Sequence, residues 1–192
     1  MDKKEVFTEM NKAALLEFYD SFYEDLFLYG FKLSQSKELT EDCVHDIFLE
    51  LWEKGKNLAD VSNKKAYLLK YLRRKIFLKM KTLHSETDLD IVKEIKFGLS
   101  LSIEAMMIRN QTNHEVSQRL NLAIQGLTNR QKEILFLKFQ NGLNYEEIAE
   151  ITQLSLRRIY NLIHESISSL KKYFNSITIS FILMIQSVFY LF

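Results

Sequence analysis

Apolar residues recur at helical spacing along most of the 192-residue chain, and no convincing run of strand-like alternation interrupts them. From Leu15 to about Phe31 the pattern predicts an aromatic-rich helix carrying Phe18, Tyr19, Phe22, Tyr23 and Phe27, a stripe best read as core. Thr40 is placed to cap a second helix, with Val44, Ile47, Phe48 and Leu51 on its buried side and Asp42, Asp46, Glu50 and Glu53 on its exposed side. Glu41 and Asp42 would then sit in the first turn, where the helix dipole favours negative charge. Residues 55–63 read as a connector. Lys64 opens a third helix, to about Leu83, with Ala66, Leu69, Leu72, Ile76 and Met80 inward. The apolar spacing then becomes irregular from His84 to about His114, as in a linker, with one short helix expected over 103–108.

Three short helical patterns follow between 128 and 173. Thr128 with Gln131, and Asn144 with Glu147, have the spacing of capping boxes, and Leu143 with Ile148 that of a hydrophobic staple. Gly142 is a helix stop, and Ser155 caps the last helix. That helix is two-faced. Ile159, Leu162, Ile163, Ile167 and Leu170 line one side, while Arg157, Arg158, Asn161, His164 and Ser168 line the other. The last two patterns form a helix-turn-helix, whose second helix suits a DNA major groove. Arg and Asn are suited to bidentate contacts with guanine and adenine edges, and Ser155 at the helix start to a phosphate. A small three-helix bundle with a solvated polar face would show the same periodicity.

The fold class expected is all-α. The chain has no proline and only five glycines, so little breaks its helices. With 47% hydrophobic and 27% charged residues it can build globular cores. The single cysteine, Cys43, excludes an internal disulfide and fits a reducing, cytoplasmic setting. Residues 1–11 are charged and do not resemble a signal peptide.

Net charge is only +1, but it is unevenly spread. Glu17 to Glu53 holds ten acidic residues against two lysines, and Lys54 to Lys81 holds ten basic residues against one aspartate. The third helix thus carries Lys70, Arg73, Arg74, Lys75 and Lys79 among Tyr67, Tyr71 and Phe77, a composition suited to tracking phosphates and stacking bases. The bland reading is that it pairs with the acidic helix before it. Cys43 and His45 have no second ligand pair at metal-site spacing. No phosphate loop, nucleophile motif or carboxylate constellation appears, so neither an enzyme nor a cofactor is expected.

Taken together, TEDCVHDIFLELWEKG (40–55), KAYLLKYLRRKIFLKM (65–80), RQKEILFLKFQNGLNYEEIAEI and SLRRIYNLIHESISSLKK resemble bacterial RNA polymerase sigma factors of the extracytoplasmic-function type. The Bacteroidetes-like branch, similar to iron-citrate-type factors, matches best. The resemblance covers roughly 12–174. It implies a region 2 over 12–84, a linker over 85–113 and a region 4 helix-turn-helix over 114–174. It further implies a protein that binds core RNA polymerase, directs it to promoter DNA and helps open the duplex, under the control of an anti-sigma factor. Asp42, His45, Asp46 and Phe48 would then meet the polymerase clamp. Lys70, Arg73, Arg74 and Lys75 would hold phosphates at the −10 element, with residues around 60–63 receiving a flipped base. Ser155, Arg157, Arg158, Asn161 and His164 would read the −35 element. His45 departs from the family's usual glutamine, Arg74 stands near a common asparagine, Thr128 replaces a frequent proline, and Gln153 occupies a turn position where glycine is frequent.

A dimeric helix-turn-helix regulator acting without polymerase is the alternative, and a pure interaction protein is a third class. Residues 175–192, NSITISFILMIQSVFYLF, carry no charge. They fit a helix packed on one of the domains, a docking segment for an anti-sigma protein, or a membrane contact.

Overall fold

The computed structural model describes residues 3–53, 61–84, 97–98 and 121–173. All regular structure among them is helical. The chain divides into two units, Met1–Lys96 and Phe97–Phe192. The expected helix over 103–108 and the tail 175–192 lie outside the described residues.

The first unit packs three long helices: α1 (Lys3–Ser34), α2 (Lys37–Glu53) and α3 (Lys64–His84). Helix α1 begins well before the predicted Leu15, because the residues ahead of it are mostly good helix formers with no glycine or proline. Its core contribution is Leu26, Tyr29 and Leu33, spaced three and four apart. The aromatic stripe is therefore only partly core. Phe18 and Tyr19 pack on Phe48, while Tyr23, Phe27 and Phe31 continue as stacked neighbours along a less buried flank.

Helix α2 starts earlier than predicted. Ser36, not Thr40, caps it, its Oγ accepting from the Leu39 amide at 3.2 Å. Thr40 lies inside the helix, fully buried, its hydroxyl donating to the Ser36 carbonyl at 2.7 Å. The reason is the approach of α1. A Cβ added to Gly30 would stand 2.8 Å from Thr40 Cγ2 and 3.2 Å from both Ile76 Cδ1 and Leu72 Cδ2. All three helices meet at this glycine, and Thr40 supplies the methyl that fills the contact. Glu38 consequently occupies the first turn in place of the predicted Glu41 and Asp42. Asn63 caps α3, its Oδ1 accepting from the Ala66 amide at 3.0 Å.

The second unit is built from shorter pieces. Residues 121–125 are helical; α4 (Asn129–Leu135), α5 (Tyr145–Thr152) and α6 (Leu156–Tyr173) follow. Both predicted capping boxes form. The Gln131 amide donates to Thr128 Oγ1 at 3.2 Å, and the Glu147 amide to Asn144 Oδ1 at 2.8 Å, each with its reciprocal bond. The residues of the predicted staple, Leu143 and Ile148, are both buried. The regular spacing seen through Phe139 hides a change of geometry. The chain widens into a π-helical turn over Phe136–Gln140, closed by the Asn141 amide on the Phe136 carbonyl at 3.2 Å. Gly142 then turns the chain at φ +68°. Gln153 does the same at φ 57°, a left-handed conformation that is costly for a side chain with a Cβ. Phe97, within the predicted linker, is buried against Phe136 with ring centroids 5.7 Å apart.

Candidate nucleic-acid interface

Helix α6 owes its exposed face to its own apolar stripe. Ile159, Leu162, Ile163 and Leu170 are buried, joined by Ser166, whose hydroxyl donates to the Leu162 carbonyl at 2.6 Å. Burying that side turns Arg157, Arg158, Asn161 and His164 to solvent. Ser155 is exposed and caps the helix, accepting from the Arg158 amide at 3.3 Å. All five residues expected to read DNA thus lie on the outer surface of one helix or at its start. The Arg158 guanidinium stands 3.6 Å from the Glu165 carboxylate, with both side chains about half exposed. Leu156 and Tyr160 are also exposed, which the polar-face reading missed. They sit four apart and off the buried stripe, so the spacing carried the signal.

The basic helix α3 behaves differently. Lys70 and Arg74 are exposed, as expected. Arg73 is not: it is 7% exposed, with its guanidinium 4.4 Å from the centre of the Phe77 ring. Lys75 is also withdrawn. It bonds Glu50 and lies 3.5 Å from Asp46, which in turn pairs with Lys79 at 3.0 Å. The dense basic surface predicted for α3 is thereby corrected. Arg73 stacks on Phe77 of its own helix, and Lys75 faces the acidic row that α2 packs along α3.

The same contacts shift acid–base equilibria. Tyr71 donates to Glu50, and that bond, with burial and the nearby carboxylate charge, pushes its phenol up to about 12. Burial works against the charge of Lys79, but the Asp46 hydrogen bond and surrounding negative charge outweigh it and leave the ammonium's pKa raised. Burial raises the Cys43 thiol, with smaller effects from the neighbouring charges.

Of the residues expected on the polymerase surface, Asp42 and His45 are exposed. His45 Nε2 lies 3.1 Å from the Tyr19 hydroxyl. Asp46 is partly exposed and engaged by the two lysines. Phe48 is only 5% exposed, wedged against Phe18 and Tyr19, so its bulk belongs to the core. Its edge lines an apolar groove of about 660 Å³ between α1 and α2, shared with Leu16, Tyr19, His45, Leu49 and Trp52. Asn63 already bonds its own helix through its side-chain oxygen. Asp60 lies outside the described residues.

Among the described residues no cluster of three or more His, Cys, Asp or Glu is placed to hold a metal ion. Among the same residues no helix is long and apolar enough to cross a membrane.

A helix-turn-helix with cations and an amide on the outer side of its second helix defines a class of DNA-binding protein. Residues 117–170 match the family model described as sigma-70, region 4. The extracytoplasmic-function RNA polymerase sigma factor SigX of Bacillus subtilis is 22% identical over 162 residues, spanning 81% of this chain and 80% of that protein. The fold is similar to that of the sigma factor RpoE from Bartonella quintana, solved with the anti-sigma factor NepR. The match has a TM-score of 0.55 and 21% identity over 88% of this chain and 99% of that one. Residues 117–170 thus carry a sigma-70 region 4 domain, and over most of its length the chain is similar to sigma factors of the extracytoplasmic-function type.

Proposed function

We propose that this protein joins core RNA polymerase, reads an upstream promoter element with α6 and holds the opened −10 strand with α3. The observation that carries this reading is the outward face of α6, where Arg157, Arg158, Asn161 and His164 are exposed together on a region 4 helix-turn-helix. The −35 contacts are assigned to those four residues and to Ser155. At the −10 element the phosphate contacts are assigned to Lys70 and Arg74, the exposed members of the basic row. Region 2, the linker and region 4 take the bounds 12–84, 85–113 and 114–174 in this reading.

The polymerase clamp is assigned to the outer side of α2. Asp42 and His45 offer polar contacts there, and Leu49 and Trp52 line the adjoining groove. The groove's exposed leucines, Leu16 at 56% and Leu49 at 58%, are what a helical partner needs to bury. An anti-sigma factor is a second partner in this reading, supported by the NepR complex of the similar RpoE. The protein acts as a non-enzymatic subunit in the cytoplasm, where its polymerase works. The family findings do not support the dimeric regulator as an alternative.

Run-off transcription tests the reading. Core polymerase from a related bacterium is given a library of genomic promoters, with and without this protein. Discrete transcripts that depend on its addition are expected. Failure to associate with core polymerase, with no new transcripts, would overturn the proposal.

A further inference from the structure

Two large apolar side chains stand exposed at the start of α6, on the very element assigned to DNA. Leu156 is 38% exposed and Tyr160, one turn on, 48%. Helical spacing puts the pair on one flank, beside the face formed by Arg157, Asn161 and His164. The ring of Tyr160 is held in place. It meets the ring of Tyr145, the first residue of α5, with centroids 4.4 Å apart and planes inclined at 60°. Lys138 lies over the Tyr145 ring at 4.7 Å, and its ammonium donates to the Leu143 carbonyl at 3.1 Å. These contacts fix one side of the Tyr160 ring and leave about half of the residue in water.

An apolar patch beside Arg157 needs a ligand that offers both an anion and an apolar group. A protein partner covering only the apolar flank would bring the Arg157 guanidinium into a poorly solvated edge. Duplex DNA meets both demands. Its phosphates and purine edges suit Arg157, and in the major groove the one apolar group among the base edges is the thymine C5 methyl. We infer that Leu156 and Tyr160 read a thymine methyl in the upstream promoter element. The inference rests on the sigma-factor reading and names a base that this site selects. Tyr145 and Lys138 act as positioning residues for Tyr160.

The test changes the DNA by one methyl group and leaves the protein intact. Full-length protein is immobilised and offered two pools of duplexes randomised over ten base pairs. One pool is made with thymidine and one with deoxyuridine, which lacks only the C5 methyl. The retained duplexes are sequenced. At least one position enriched for thymine in the first pool is expected to lose its enrichment in the second, while positions enriched for guanine or adenine persist. Replacing that thymine by deoxyuridine in the best duplex is expected to weaken binding about fourfold, the value of one buried methyl-sized group. Tyr160→Phe should keep this discrimination and Tyr160→Ala should lose it. Neither should alter the dependence of binding on salt, since no phosphate contact is removed. Identical selection and equal affinity in both pools would overturn the inference and leave the sigma-factor reading standing. Retained discrimination in Tyr160→Ala would overturn the role of Tyr160. Absence of any sequence-selective retention would overturn the inference together with the assignment of α6 to the upstream element.

Discussion

In α3, two of the four cations between Lys70 and Lys75 are turned to the interior of their own unit. Arg73 lies on Phe77, and Lys75 lies between Asp46 and Glu50. In α6 the two arginines remain at the surface, and Arg158 meets only a half-exposed glutamate at 3.6 Å. The basic run in the sequence is much denser in the first unit. A count of charges therefore does not by itself tell how many of the cations face solvent. What decides is whether a row of opposite charge packs alongside. The acidic side of α2 does so for α3, whereas the stripe of Ile159, Leu162 and Ile163 turns the α6 arginines to the outer surface, where Arg158 meets the half-exposed Glu165.

That contrast is sharpest for Arg158 against Lys75. Arg158→Ala is expected to weaken promoter binding by about 1–3 kcal/mol if it makes a bidentate base contact, and Arg157→Ala to lower the salt slope by about one if it holds a phosphate. Lys75→Ala is expected to leave both quantities unchanged and to lower the melting temperature instead, since Glu50 and Asp46 lose a cation that is mostly screened from water. Fluorescence titration of a promoter duplex at several salt concentrations, with thermal melts of each variant, separates the two. A fall in DNA affinity for Lys75→Ala equal to that for Arg158→Ala would remove the distinction between the units.

The units also differ in what holds their backbones. The first depends on one close approach of long helices, the second on caps and turns. Gly30→Ala is expected to destabilise the first unit by about 1–3 kcal/mol, the usual effect of overpacking a filled core. The added methyl would meet Thr40, Leu72 and Ile76 at once, so no single side chain moving aside makes room. Chemical denaturation should show the loss, and unchanged stability of Gly30→Ala would mean that α1 slides freely over its neighbours.

The legible parts of the sequence were those with a local cause. The capping boxes at Thr128 and Asn144, the stop at Gly142 and the two faces of α6 each follow from residues within one or two turns. The readings that failed needed information from another helix. Thr40 looked like a cap because its neighbours were right, but the approach of Gly30 put it in the interior. Lys75 looked exposed because the ladder that binds it, Asp46 and Glu50, lies on α2, and Arg73 is buried with its guanidinium on Phe77. Phe48 could be placed on a buried stripe by spacing, and its burial agrees with that spacing more than with the surface role implied by the resemblance. The π-helical turn at Phe136–Gln140 had no marker in the pattern, since one extra residue per turn scarcely changes a short apolar repeat.

Gln153 gives the smallest expected effect and the cleanest view of the second unit's dependence on turns. It ends α5 at φ 57° and ψ 33°, its amide still donating to the Ala149 carbonyl. A side chain with a Cβ costs about 1–2 kcal/mol in this conformation. Glycine removes that strain but loses more entropy on folding, by about 0.5–1 kcal/mol. The balance favours Gln153→Gly by about 0–1.5 kcal/mol in stability. The residue is exposed, so no packing is lost with its side chain. DNA affinity should change little, because the turn keeps its geometry and α6 keeps its angle to α5. A melting temperature that falls in Gln153→Gly would mean the glutamine side chain contributes to the turn by a contact that outweighs its strained backbone. The helix-turn-helix would then be held by that contact, and not by left-handed geometry alone.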